Sequence, residues 1–132
     1  MQNIKFGTDG WRAIIAQDFT CDNVARVSYA TAQWLLKRTP NPVVVIGHDC
    51  RFAGELFVET AIKVLTNAGV KVLTHKGFVS TPMVSLATVK LNANAGIVIT
   101  ASHNPPSYNG FKIKDSFGGP AAPVEIGMVE SY

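Results

Sequence analysis

The chain has 132 residues, 47% hydrophobic and 16% charged, with a net charge of +3. That is enough for one domain with a real core, and too apolar and weakly charged for a disordered chain. The basic residues are spread without a run, which turns the reading away from nucleic acid and leaves small anionic ligands open.

Strand and helix patterns alternate along the sequence. Lys5-Phe6 leads into the turn Gly7-Thr8-Asp9-Gly10, whose residues tolerate tight geometry. Thr20 or Asp22 caps a helix with Val24, Val27, Thr31, Trp34 and Leu35 on one stripe, and Pro40 and Pro42 close it. Val43-Val44-Val45-Ile46 is a β-branched run of the kind found in strands covered on both faces. A second helix follows Gly54, with Phe57, Val58, Ala61, Ile62 and Leu65 inward and Gly69 at its C-terminal cap. Val70-Lys71-Val72-Leu73 is the next strand. Thr81-Pro82 reads as a cap followed by proline in the first helical position, and that helix reaches about Leu91. Residues 95–100 form another buried strand. Asn109-Gly110 reads as a turn, and Phe111-Lys112-Ile113-Lys114 alternates like a strand. Residues 114–123 suit a loop or loose hairpin. A last helix opens near Val124 with Ile126, Met128 and Val129, and Tyr132 falls inside it, as in one domain of a longer protein.

Repeated β-α-β units predict an α/β fold: a three-layer α/β/α sandwich with a mixed, largely parallel sheet. In such sheets, sites gather beyond the carboxyl ends of the strands. Residues 7–12, 47–51 and 100–106 are each read as following a strand, so they would share one rim.

The residues of that rim suggest chemistry. Ser102 sits in Thr100-Ala101-Ser102-His103-Asn104-Pro105-Pro106, a hydroxyl on a stiff loop after a buried strand. A serine hydroxyl is a weak nucleophile without a base, a metal or a covalent group. The adjacent His103 is poorly placed as that base, because neighbouring residues leaving a strand point to opposite sides. No G-x-S-x-G elbow is present, which disfavours a serine hydrolase. The same residues also fit a plain polar turn. Lys112 and Lys114 share a strand face, so either could return toward the serine. Lys114 is read as a solvent-facing lysine on an edge strand. Arg12, beside the glycine-containing turn, suits phosphate binding or a surface ion pair with Asp9 or Asp18. Asp49 and Arg51 are read as bracing the rim. His48 and Cys50 are too few for a zinc site, and His75 is read as structural. Cys21 and Cys50 lack paired spacing and read as reduced thiols. No P-loop or G-x-G-x-x-G is present. No apolar run reaches the 18 or so residues of a membrane span, and residues 1–5 lack a signal-peptide core. The default setting is the cytoplasm.

Three motifs, in order, give a sharper picture. Phe6-Gly7-Thr8-Asp9-Gly10-Trp11-Arg12, Gly47-His48-Asp49-Cys50-Arg51, and Thr100-Ala101-Ser102-His103-Asn104-Pro105 with Asn109-Gly110-Phe111-Lys112 resemble the first domain of the α-D-phosphohexomutases, which include phosphoglucomutases and phosphomannomutases. The likeness runs over essentially residues 1–132. It implies that Ser102 is a phosphoserine that passes its phosphoryl group to a hexose phosphate and regains one from the hexose 1,6-bisphosphate. It implies one Mg2+ ion contacting the phosphoserine at Ser102, with its other ligands outside this chain. His103, Lys112 and Arg12 match positions lining the transfer site, with Arg12 and Lys112 binding phosphate. Thr8, Asp9, Gly10, Asp49, Arg51 and Asn104 would support the site. The family's Asp-Gly-Asp metal loop is missing here, as are its sugar-recognition and C-terminal phosphate loops, and Ala13 stands where many relatives have glycine. The implied arrangement is therefore a phosphoryl carrier that works against downstream domains and does not isomerise sugars alone. Glucose, mannose and amino sugars are not separated. A free-standing module that binds a phosphosugar without turnover is the competing expectation.

Overall fold

The computed structural model describes residues 3–8 and 10–132. In chain order the elements are β1 (Trp11–Ile14), α1 (Cys21–Arg38), β2 (Val43–His48), α2 (Gly54–Asn67), β3 (Lys71–Thr74), α3 (Thr81–Lys90), β4 (Ala95–Ile99), β5 (Tyr108–Asp115) and α4 (Pro123–Ser131). The strands make one sheet in the order β1-β5-β4-β2-β3. β2 pairs in parallel with β3 and β4, while β5 runs antiparallel to both β4 and β1. Four strands therefore point one way and β5 opposes them, which is the mixed, largely parallel sheet expected.

Side-chain alternation sorts the layers. Val44, Ile46, Ile97, Ile99, Phe111 and Ile113 face Trp34 and Leu35 of α1, Phe57 and Leu65 of α2, and Val129 of α4. Val45 and Val98 face the other way, onto Val84 of α3 and Val79. The same alternation puts Gly110, Lys112 and Lys114 on the α3 face. Local signals explain the helix ends. The Thr20 hydroxyl accepts from the Asn23 amide and starts α1. Past α2, Gly69 adopts φ +99°, and the amides of Gly69 and Val70 return to the carbonyls of Thr66 and Leu65. That is a Schellman closure, which needs a residue at ease with positive φ.

Four expectations need correction. Residues 7–12 do not follow a strand; they lead into β1, so Arg12 lies within the sheet. Asn109-Gly110 is not a turn but part of β5. A Cβ on Gly110 would overlap the carbonyl oxygen of Thr100 and crowd that of Trp11, so glycine is there for close approach. Lys114 is not solvent-facing, because Gly96 of β4 pairs with it on one side and Pro120 bridges it on the other, and the lysine is only 8% exposed. Finally, the α3 cap is Ser80, whose hydroxyl accepts from the Met83 amide, with Pro82 in the second helical position.

The carboxyl ends of β2 and β4 and the amino end of β5 meet at one edge of the sheet. The loops after β2 and β4 are therefore neighbours there.

Candidate active site

β4 is wholly buried and delivers Thr100 to the rim, where its amide donates to the Gly110 carbonyl and extends the sheet ladder by one bond (3.0 Å). Ala101 is buried. Ser102 then turns outward into solvent with φ +49°, a left-handed conformation that side chains other than glycine seldom adopt. A hydrogen bond from the Ser102 amide to the Thr100 hydroxyl (3.2 Å) supports that turn. The Thr100 hydroxyl donates in turn to Oδ2 of Asp49 in a short hydrogen bond.

Arg51 holds the rest of the loop. Its Nη1 donates to the carbonyls of Pro105 (2.7 Å) and Tyr108 (3.0 Å), and its Nη2 to those of Ser102 (2.8 Å) and Asn104 (2.6 Å). A guanidinium offers donors in a rigid planar fork, so one side chain meets four backbone oxygens that would otherwise need water. Asp49 orients Arg51 in two ways: Oδ1 accepts from the Arg51 amide at 3.0 Å, and Oδ2 lies 3.8 Å from Nε.

Two cations reach the same loop from the sheet. Lys112, paired with Val98 across β4 and β5, extends along the α3 face and donates from Nζ to Ser102 Oγ at 2.8 Å. Arg12, opposite Gly110 in the β1–β5 ladder, donates from Nη1 to Asn104 Oδ1 at 2.8 Å. Gly10, at φ +96°, packs so closely on Lys112 that a Cβ would press on its Cγ and on the Phe111 carbonyl. Thr8 is exposed on that turn, closed by Gly7 N–H to the Gly10 carbonyl, while Asp9 lies outside the described residues. His103 is exposed, and no hydrogen bond joins it to Ser102 among the described residues. His48 is buried, with Nδ1 2.7 Å from the Asp49 carbonyl and its ring edge-on to Phe78. His75 and Cys50 are exposed and Cys21 is half-buried, all apart from Ser102 in this network.

Ser102, Lys112, Arg12, Asn104, Asp49 and Arg51 thus form one connected network. Thr100 belongs to it as well, although its role was not foreseen. The threonine–x–serine spacing suits a turn in which the threonine hydroxyl accepts from the amide two residues on, which was the available signal. Chemically, Ser102 Oγ lies against an ammonium, and no carboxylate or imidazole hydrogen-bonds to it among the described residues. That arrangement stabilises negative charge at the oxygen rather than removing its proton. A groove of about 650 Å³ runs beside Lys112, lined also by Gly7, Thr8, Gly10, Lys114 and Glu130, and does not include Ser102. Among the described residues no three His, Cys, Asp or Glu side chains gather as a metal site, and no helix is long and apolar enough to cross a membrane.

Known proteins resemble the chain in sequence and fold. Residues 3–131 match the family described as phosphoglucomutase/phosphomannomutase, alpha/beta/alpha domain I. A phosphoglucomutase of Staphylococcus saprophyticus is 36% identical over 98% of this chain and 24% of its own length. A phosphoglucosamine mutase of Pelotomaculum thermopropionicum is 38% identical over 87% of this chain and 26% of its own. The crystal structure of a Thermus thermophilus protein, provisionally named a phosphomannomutase, superposes with a TM-score of 0.95 at 42% identity, covering 98% of this chain and 30% of that one. The chain spans about a quarter of the length of the curated relatives it matches.

Proposed function

The chain belongs to the phosphoglucomutase/phosphomannomutase family as its α/β/α domain I, and on that footing we propose that Ser102 carries a phosphoryl group between the hydroxyls of a hexose phosphate. The observation that carries this reading is the Lys112 Nζ to Ser102 Oγ contact of 2.8 Å on a loop held by Arg51.

The transfer balances as follows. Phosphoserine gives its phosphoryl group to a free sugar hydroxyl: the sugar O–P bond forms, the Oγ–P bond breaks, and the hydroxyl proton passes to solvent. Charge appearing on Oγ meets the Lys112 ammonium, which stabilises it until a proton arrives. The reverse step, from the other phosphate of the hexose 1,6-bisphosphate, restores phosphoserine and releases the isomerised monophosphate. Phosphoryl transfer depends on positioning and on neutralising the equatorial oxygens more than on a strong base. Lys112 supplies charge at the serine. Arg12, held by Asn104, supplies a second cation for phosphate, and the exposed His103 would meet ligand oxygens. A serine hydrolase would need a base on Ser102 Oγ, where the lysine sits instead.

Magnesium enters this reading at one point. The described residues do not fit a cation cage, because Asp49 is engaged by Thr100 and Arg51 and no acidic cluster faces Ser102. Only the phosphate on Ser102 would touch the ion, with its remaining ligands from further domains of a longer enzyme. The same domains would contact the sugar. We place that enzyme in the cytoplasm, where the two free thiols stay reduced.

The test is the intact mass of the full-length protein after incubation with a hexose 1,6-bisphosphate. One added phosphoryl group that is absent from Ser102→Ala is the expected result. Equal incorporation into Ser102→Ala removes the serine from this role.

A further inference from the structure

The two polar ends of the Ser102 residue are tied to different side chains, and both ties lead to one carboxylate. The Ser102 amide donates to the Thr100 hydroxyl, and the Ser102 carbonyl accepts from Arg51. Asp49 then accepts the Thr100 hydroxyl proton on Oδ2 and the Arg51 amide on Oδ1. From this geometry we infer that Thr100 is a positioning residue for phosphoryl transfer at Ser102, acting as a directional adaptor between Asp49 and the serine. The inference rests on the reading of Ser102 as phosphoryl carrier.

The direction follows from hydrogen-bond chemistry. A hydroxyl has one proton and two lone pairs. Asp49, an acceptor when ionised, takes the proton. The Thr100 oxygen is left with lone pairs only, and these face the Ser102 N–H. A threonine without Asp49 could turn its proton toward solvent or a carbonyl and lose that orientation. The adaptor matters because Ser102 sits at φ +49°, a conformation that disfavours any side chain bearing Cβ. With the amide held by Thr100 and the carbonyl by Arg51, the left-handed turn is fixed from both sides. That turn sends the exposed hydroxyl toward Lys112. In an extended conformation the Cα–Cβ bond would point elsewhere, and the 2.8 Å contact would be lost. The Thr100 hydroxyl is engaged by Asp49 and by the Ser102 amide, so it acts on the serine hydroxyl through geometry. It is 4% exposed and its backbone is fixed by the Gly110 ladder bond, so exchanges of its side chain leave the strand in place.

The experiment compares full-length Thr100→Val and Thr100→Ser with the parent protein. Valine keeps the shape and loses the hydroxyl; serine keeps the hydroxyl. Phosphorylation of Ser102 by a hexose 1,6-bisphosphate is followed by intact mass at several concentrations, with thermal melting as the check on folding. Misplacement by about an ångström costs on the order of 100-fold in rate. Thr100→Val is therefore expected to lose about that factor in maximal rate, with half-saturation within about threefold of the parent, and Thr100→Ser to recover most of the rate. Crystal structures of both variants should show positive φ at Ser102 in the serine form only. A folded Thr100→Val protein that is phosphorylated at the parental rate, or that keeps φ near +49°, overturns the inference. Phosphate uptake by Ser102→Ala overturns the underlying reading instead. If Thr100→Val proves unstable, failure of folded Thr100→Ser to approach the parental rate overturns it equally.

Discussion

Lys112 sits in a strand whose flanking residues, Phe111 and Ile113, belong to the core, and it is only 6% exposed. Removing an ammonium from water is costly without strong partners. One of its bonds goes to Ser102 Oγ, a neutral hydroxyl in the free protein. A phosphoryl group there would set anionic oxygens against the ammonium and add an ion pair to its hydrogen bond. Lys112→Met is expected to slow phosphoryl uptake at Ser102 by about 100-fold, the usual cost of one lost donor at a developing charge. Intact mass and thermal melting on the same sample check this; parental uptake by a folded methionine variant contradicts it. The sequence showed Lys112 and Lys114 on one strand face, and it showed the serine on its loop. It did not show that Lys114 is buried, because that depends on its pairing with Gly96 of β4 and on the chain returning to bridge it at Pro120, which no local pattern records. Nor did it reveal Thr100 as a tie, since that requires a left-handed Ser102, which serine carries no special preference for.

Among the elements, β5 is where the site and the fold are joined. It pairs with β1 and β4, presents Lys112 to Ser102, and has Gly110 under the Thr100 carbonyl and beside Arg12. A methyl group at Gly110 must push apart backbone on two neighbouring strands, with no flexible side chain to absorb it. Gly110→Ala is expected to destabilise the protein by about 1–3 kcal/mol, as overpacking does, and to displace the Ser102 loop along with Thr100. Urea unfolding and the Ser102 phosphorylation rate should therefore fall together, and unchanged values in both would show that the strands yield. Thr20→Ala tests a lesser joint: loss of the α1 cap should cost about 1 kcal/mol without changing that rate. The helices were legible because caps, stripes and the Gly69 closure are short-range signals. Asn109-Gly110 misled for the opposite reason. The pair has the composition of a turn, but its glycine answers to the crowding of carbonyls from β1 and the β4 end, which no local pattern records.

At the scale of the whole molecule, two cores fill both faces of the sheet, while Phe78, Met83, Leu86 and Leu91 on and around α3 stay exposed. The rim differs: Ser102, His103, Pro105 and Pro106 all face solvent, and among the described residues no acidic cluster opposes them. A phosphoryl transfer run from this rim alone would leave the phosphate hydrated and the sugar unheld, losing both positioning and the exclusion of water. The 132-residue chain is accordingly expected to melt cooperatively, to show no saturable heat of Mg2+ binding by titration calorimetry, and not to isomerise glucose, mannose or glucosamine phosphates in a coupled assay. Joined to the further domains proposed above, it should gain both activities, provided Ser102 is intact. Turnover by the chain alone at a rate like that of a full mutase would mean that the exposed rim already holds and shields the sugar, against the openness of its geometry. A tight Mg2+ site on the chain alone would place carboxylates around Ser102 that, among the described residues, are turned instead toward Thr100 and Arg51.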